Sequence, residues 1–564
     1  MAFKHWPKLL ILILFVISSG TFTSAQSARP NFNRPQTFDV QHYAIRVSFD
    51  RPKKQVIGDT TVQLKPLKPG FTQVELDAAA LAFQSITLDP SGTPLKFKTT
   101  REKVAVTLDK AYGPDDLVSI RFRYSATPKK GVYFVGEKIE DGKVLNSAQI
   151  WTQGEADEAH HWFPSFDFPS DKATSEQFIT AQKDETVIGN GELVETKDNG
   201  NGTATTHYRM QALHPTYLIS FVVGKYVKIS EKYGDVPLGY YVYPGKEWLV
   251  PQAYGKTRDM FRVFEELTGI KYPFNKYDQT IVASFQFGGM ENITATTMSD
   301  NDIYLAGNDL FKAGVEDLVS HELAHSWFGN LVTCKNWAEL WLNEGFATFM
   351  EAAFREKMYG RRTYINKIMS DAETFIVDDA VNPKRNGLYN QNAGNIAELF
   401  ERPATTYNKG GAVLHTLREE IGDEAFWKGV HLYLTEHQFG SVETTDLIKA
   451  MEEASGKDLD WFFEQWVYRG GHPKLNVAQT YNPRTKTLRL TVTQTQKPDK
   501  LTPAVFRLPM EVRVESASGN TNKKIDVDKR VETFTIKTDG RPKTVKLDPD
   551  ERVPLKTVKI GPLR

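Results

Sequence analysis

The chain has 564 residues, 40% of them hydrophobic and 12% aromatic, more than one core usually organises, which predicts a globular protein of two or three domains. Lysine plus arginine balances aspartate plus glutamate at 70 each, so nothing in the charge favours nucleic acid or an anionic lipid surface, and no nucleic-acid partner is expected. The single cysteine, Cys334, excludes an intrachain disulfide and reads as a small buried hydrophobe.

Residues 1–25 read as a secretory signal: Lys4 and Lys8 come first, Leu9 to Ile17 form an apolar stretch, and Thr23-Ser24-Ala25 offers small residues for cleavage before Gln26. The expected fate is export, to the periplasm or the medium. The apolar stretch is shorter than the ~20 residues that span a bilayer, and no later run is long enough, so no stable membrane insertion is expected. After a short lead, Gln26 to Thr37, residues 36–230 alternate with period two, as in Tyr43, Ile45, Val47 and Phe49, and predict an amino-terminal β domain.

Near Val250 the period changes. Tyr254, Thr257, Phe261 and Phe264, with Met260 and Leu267, trace one helical face that Gly269 ends, and helical patterns dominate to about Arg469. Residues 231–474 are therefore expected to be a mainly helical domain. Alternation returns at Leu488, Leu490, Val492 and at Met510, Val512, Val514, which predicts a small β-sandwich over 475–564. The fold class expected is multidomain α+β.

The chemistry is concentrated in His321-Glu322-Leu323-Ala324-His325 and in Glu344, which follows after eighteen intervening residues. If Val315 to Phe328 is helical, the two histidines stand one turn apart on one face, roughly 6 Å along the axis, so both imidazoles reach one ion. Gly329-Asn330 stops that helix, and a second helix from Trp337 to Phe349 brings Glu344 back over the pair. Zinc held by His, His and Glu keeps a position for water and lowers its pKa toward ~7, and Glu322 is placed to take the proton. His160 and His161, being adjacent, are assigned to packing or polar contacts rather than to a second metal. The sequons at Asn201 and Asn292 matter only in a glycosylating host, and the second is read as fortuitous.

These residues carry a resemblance. HELAHSWFGNLVT followed by LWLNEGFATF resembles the zinc aminopeptidases of the gluzincin group, the type of aminopeptidase N and leukotriene hydrolase. Further matches are Trp151 to Glu155, Gly288-Gly289-Met290-Glu291-Asn292, Tyr407-Asn408-Lys409-Gly410, and Trp461 to Trp466, so that the likeness covers most of residues 36–475.

The resemblance implies a thermolysin-like catalytic domain in 231–474 and one zinc ion per chain on His321, His325 and Glu344, with Glu322 as general base and acid. It implies that Glu291 and Glu155 bind the substrate's α-ammonium, with Gln153, Gly288, Gly289, Met290 and Asn292 forming the rest of the binding wall. Tyr407 becomes the donor to the oxyanion, and the partners become peptides with a free amino terminus. The family also carries a large helical domain after the sandwich, which lies outside this sequence, so a more open site is expected. Ile293 stands where leukotriene hydrolase-like members have proline, and His160-His161 where many relatives have arginines. Two other readings stay open: a metalloendopeptidase, and a catalytically inactive relative that serves as a peptide-binding scaffold.

Overall fold

In Phe38–Asp50, Phe38 and Val40 are buried, a bulge between Val40 and His42 shifts the phase by one residue, and Tyr43, Ile45 and Val47 then return to the same side. That one-sided burial makes it the middle strand of a seven-stranded sheet, antiparallel to Gln55–Pro66 and parallel to Ala173–Gln182. The computed structural model describes residues 29–564; the leader expected over 1–25 lies outside the described residues. Phe32 to Arg564 form one unit. Its architecture is an amino-terminal β domain, a mainly helical middle domain and a carboxy-terminal β-sandwich, an α+β arrangement.

The described part of the lead is bonded to both of the domains that follow it. Arg34 grips both carboxylate oxygens of Asp77 at 2.5 and 3.1 Å and lies 4.0 Å over the Phe166 ring, while Asn33 bonds Glu443 at 3.0 Å and Asn336 at 2.7 Å. The segment from Phe32 to Thr37 is thus a strap from the β domain to the helical one.

The middle domain opens on a five-stranded sheet, in the order Val227–Tyr233, Val236–Val242, Tyr277–Val282, Ala295–Ser299, Gly289–Met290. The first of these strands runs across the expected 230/231 boundary. Helical periodicity does not announce this sheet, because Tyr277–Val282 is buried at every position and pairs in parallel on both sides, so no alternation survives in its sequence.

Helices follow: α1 (Thr257–Thr268), closed by Gly269 in the left-handed conformation, then α2 (Asp300–Tyr304), α3 (Lys312–Ala324), α4 (Trp341–Tyr359) and α5 (Arg361–Val381). After α6 (Ile396–Leu399) come α7 (Gly410–Ile421), α8 (Asp423–Glu436), α9 (Thr444–Ser455) and α10 (Asp460–Trp466). The hydrophobic core of these helices continues into the sandwich, where Trp466 packs on Phe506 at 5.5 Å; the amino-terminal domain keeps a core of its own around Tyr43, Phe122, Trp162 and Phe163. In the sandwich a four-stranded and a three-stranded sheet bury Leu488, Leu490 and Val492, and Met510, Val512 and Val514. Among the described residues no helix is long and apolar enough to cross a membrane.

One close approach sets the depth of the site. Where α4 meets α7, a Cβ on Gly410 would lie 2.7 Å from the Gly345 Cα, and Gly345 follows Glu344 directly. Gly410→Ala is expected to cost roughly 1–3 kcal/mol through overpacking against backbone. Urea unfolding should show a lower midpoint at unchanged slope; an unaltered midpoint would mean that the two helices tolerate separation.

Candidate active site

Helix α3 ends at Ala324, four residues before the expected Phe328, so His325 occupies its C-cap. The one-turn spacing of His321 and His325 survives because His325 keeps helical angles, φ −57° and ψ −21°, and its N–H still bonds the His321 carbonyl at 3.2 Å. The chain then reverses through Gly329, and the carbonyls of the turn that follows meet the buried Lys172 side chain, 3.4 Å from Asn330 O and 3.3 Å from Leu331 O. The second helix is also shorter at its start than expected: Trp337–Glu339 is a 3-10 turn capped by the Asn336 side chain, and α4 begins at Trp341. Phe346 on α4 stacks flat on Phe328 at 4.4 Å and holds Glu344 against the histidines.

The Glu344 carboxylate lies 3.2 Å from His321 Nε2 and 3.3 Å from His325 Nε2, and one ligand atom from each of the three lies within 4.8 Å of the other two. The remaining ring nitrogens are anchored elsewhere: His321 Nδ1 on Glu351 at 2.8 Å, His325 Nδ1 on the Phe328 carbonyl at 2.9 Å. Those anchors turn both Nε2 atoms toward one point.

Electrostatics tests whether a cation suits that point. Burial alone would lower the pKa of both imidazoles; Glu344 and Glu351 outweigh it at His321 and raise it well above its ordinary value, while Glu291 and Glu344 bring His325 to about 9. Burial likewise opposes the Glu344 charge, yet His325 and His321 hold that carboxyl down to about 2. The buried acids thus favour positive charge here, and a divalent ion among two imidazoles and a carboxylate would supply it where the donor atoms converge, so this group can bind a metal.

Glu322 faces the same cleft, buried, with Oε2 unpartnered, and burial pushes its carboxyl up to about 8. The glycines of the Gly-Gly-Met-Glu-Asn segment, read as room for substrate, have another occupant. A Cβ on Gly289 would sit 2.1 Å from Glu322 Oε1, so the missing side chain is the space that Glu322 fills, and Gly288 lies against Leu318. Gly289–Met290 is nonetheless an edge strand, paired on one side with Thr297 and Met298.

Glu291 and Glu155 come from different domains and meet in one cleft of about 640 Å³, whose lining also includes Gln153, Met290, His321, Glu322, His325, Glu344 and Tyr407. Glu291 Oε1 is 3.8 Å from His325 Nδ1. Glu291 Oε1, Glu155 Oε1 and Gln153 Oε1 are all buried without a hydrogen-bond donor. Burial, and then the charge of Glu291, raises Glu155 well above the carboxylate range, and Glu291 is raised too, by burial with a further contribution from Glu344. Asn292 is buried, with its amide donating to Thr297 Oγ1 at 3.0 Å, which leaves no room for a glycan.

Tyr407 stands on a wide helical turn, Thr405–Lys409, with its ring stacked on His321 at 5.9 Å; burial and the Glu344 charge keep its phenol far on the protonated side. His160 bonds Asp167 at 2.7 Å and takes no part in the cleft, and Cys334 is buried and free.

Sequence reasoning missed several residues of the cleft: Glu351, Asp317, Lys367 and Asn408. Glu351 had a signal, since seven residues after Glu344 is two helical turns and hence the same face.

Family comparisons agree with this arrangement over most of the chain. Residues 39–218 match the Peptidase M1 N-terminal domain and residues 252–466 the Peptidase family M1 domain. The chain belongs to peptidase family M1. Residues 470–557 of this M1 chain match the TAF2 Ig-like domain. It is 30% identical to Aminopeptidase 2 of Candida albicans, over 73% of this chain and 45% of that one, and 34% identical to Aminopeptidase N of Streptomyces lividans, over 58% and 39%. The M1 chain therefore spans less than half the length of these curated relatives. Its fold is shared with Legionella pneumophila aminopeptidase A, solved in complex with aspartic acid, at a TM-score of 0.78 and 20% identity, over 93% of this chain and 60% of that one.

Proposed function

We propose that this M1 chain is an exported zinc aminopeptidase that removes residues from the free amino terminus of peptides, with the metal on His321, His325 and Glu344. The observation that carries the reading is the set of buried oxygens without donors, on Glu155, Glu291 and Gln153, in the cleft that holds the metal-binding group. Unpaired buried acceptors are costly, and an α-ammonium with three N–H donors satisfies them as an uncharged acyl terminus does not.

Zinc in that position supplies Lewis acidity for the scissile carbonyl and a water of lowered pKa. The chain's own residues do the rest. Glu291 and Glu155 fix the ammonium, which sets the scissile bond one residue away. The free edge of Gly289–Met290 offers backbone groups along which an extended peptide can lie. Glu322 takes the proton of the attacking water and returns it to the leaving amine. The Tyr407 phenol donates to the carbonyl oxygen as negative charge develops there.

The test is a panel of aminoacyl anilides beside their N-acetylated counterparts, with and without a chelator. Free-amino anilides are expected to be cut, the acetylated ones to be cut at least about 100-fold more slowly, since acylation leaves a buried carboxylate unpaired at a cost of about 3–5 kcal/mol. Chelation should abolish both rates. Equal cleavage of acetylated substrates would move the assignment to an endopeptidase, and no cleavage of either to a binding scaffold. Export rests on the leader; the protein recovered from its own cells should begin at Gln26, and a retained Met1 would remove that part of the proposal.

A further inference from the structure

Behind the metal-binding group runs an unbroken series of hydrogen bonds that neither the proposed metal nor the proposed base uses. His321 Nδ1 lies 2.8 Å from Glu351 Oε1, and Glu351 Oε2 takes the Lys367 ammonium at 2.8 Å. Lys367 also reaches both oxygens of Asp371, one turn further along α5, at 2.9 and 2.8 Å, and Asp371 Oδ1 accepts from the Asn408 amide at 2.8 Å. Asn408 is the neighbour of Tyr407 on the turn Thr405–Lys409. Four elements, α3, α4, α5 and that turn, are joined, and the Lys367, Glu351 and Asp371 side chains are only 11%, 11% and 6% exposed.

The polarity is consistent at each link. Glu351 accepts from His321 and from Lys367; Asp371 accepts from Lys367 and from Asn408. An acceptor at Glu351 requires that His321 carry its proton on Nδ1, which leaves the Nε2 lone pair for a metal. Lys367 lies between the Glu351 and Asp371 carboxylates, so its loss leaves like charges facing each other in a buried space.

We propose that Lys367 and Asp371 are positioning residues which hold His321 for metal binding at one end and the Tyr407 turn for oxyanion stabilisation at the other. This rests on the zinc aminopeptidase reading. The relay makes the two ends separable. Lys367→Met, close in shape and uncharged, breaks the middle and should affect both. Asp371→Leu removes both acceptor oxygens at similar volume, so the links toward Asn408 and Lys367 are lost while Glu351 and His321 keep their bond.

The experiment titrates zinc into each metal-free protein by competition with a chelator, and measures kcat and KM on alanyl anilide at saturating zinc. Lys367→Met is expected to weaken zinc binding by about 10–100-fold, and to lower kcat by about 10–100-fold with KM little changed, as for misplacement of a reacting group. Asp371→Leu should bind zinc as wild type does and lose kcat alone. Thermal unfolding of the metal-free proteins separates this from loss of fold, because a merely structural role lowers Tm without dividing zinc affinity from kcat. Variants that match wild type in both zinc affinity and kcat, or that change only in Tm, overturn the relay while an active wild type leaves the aminopeptidase reading standing. A wild type that binds no zinc and cuts no anilide overturns both.

Discussion

Glu322→Gln is expected to lower kcat on an alanyl anilide by about 10²–10⁴-fold, the usual contribution of a general acid–base group, with KM nearly unchanged. The amide keeps the volume of the carboxylate, so the packing against Gly289, where Glu322 Oε1 lies at 2.1 Å from an ideal Cβ position, is preserved. What disappears is proton affinity at Oε2, an oxygen without a hydrogen-bond partner among the described residues. None of the three ligand atoms is altered, and bound zinc should stay at one per chain by elemental analysis. A variant that retains more than about a tenth of wild-type turnover would falsify the assignment of Glu322 as the base, given the size of the effect such groups contribute.

Tyr407→Phe carries the second large effect. The phenylalanine ring can keep the stack on His321 at 5.9 Å, so only the hydroxyl is lost. Removing one donor from an oxyanion site typically costs about 2.7–4 kcal/mol, or 10²–10³ in kcat, with substrate binding largely spared. Steady-state kinetics decides it: a raised KM at constant kcat would show that the hydroxyl binds the ground state, and Tyr407 would then lose its role in the transition state.

The two variants also separate the two halves of the site. In the proposed mechanism Glu322 acts on protons and Tyr407 on developing charge; Glu322 is carried by α3 and packs on Gly289, while Tyr407 sits on the turn Thr405–Lys409, which Asn408 ties to α5. A variant of Asn408 or Asp371 should therefore resemble a weakened Tyr407→Phe and never a weakened Glu322→Gln.

How much of this was legible in the sequence follows from the range of each interaction. His321, Glu322 and His325 are set by the helical repeat, a local property, and the one-turn spacing of the histidines held even though α3 stops at Ala324, because the residue at this C-cap still has helical angles. Glu344 was legible by a turn and a second helix. Alternation in Phe38–Asp50 and in Thr487–Gln494 gave the outer domains, since sheets with one wet face write their burial into the chain. The sheet beneath the cleft did not, because Tyr277–Val282 is buried on both faces. Nor did the strap from Phe32 to Thr37, whose bonds reach Asp77, Asn336 and Glu443.

The sequence by itself determined the spacing of His321, Glu322 and His325, the return of Glu344 beside them and the order of domains, because each is carried by a short-range period or a motif of fixed spacing. Only the tertiary structure decided that Glu155 from one domain and Glu291 from another leave bare oxygens in one cleft, and that Glu351, Lys367 and Asp371 tie His321 to the turn of Tyr407. Those contacts join residues far apart in the chain, and which buried carboxylate meets which donor is fixed by how helices and sheets pack, where no local periodicity leaves a trace.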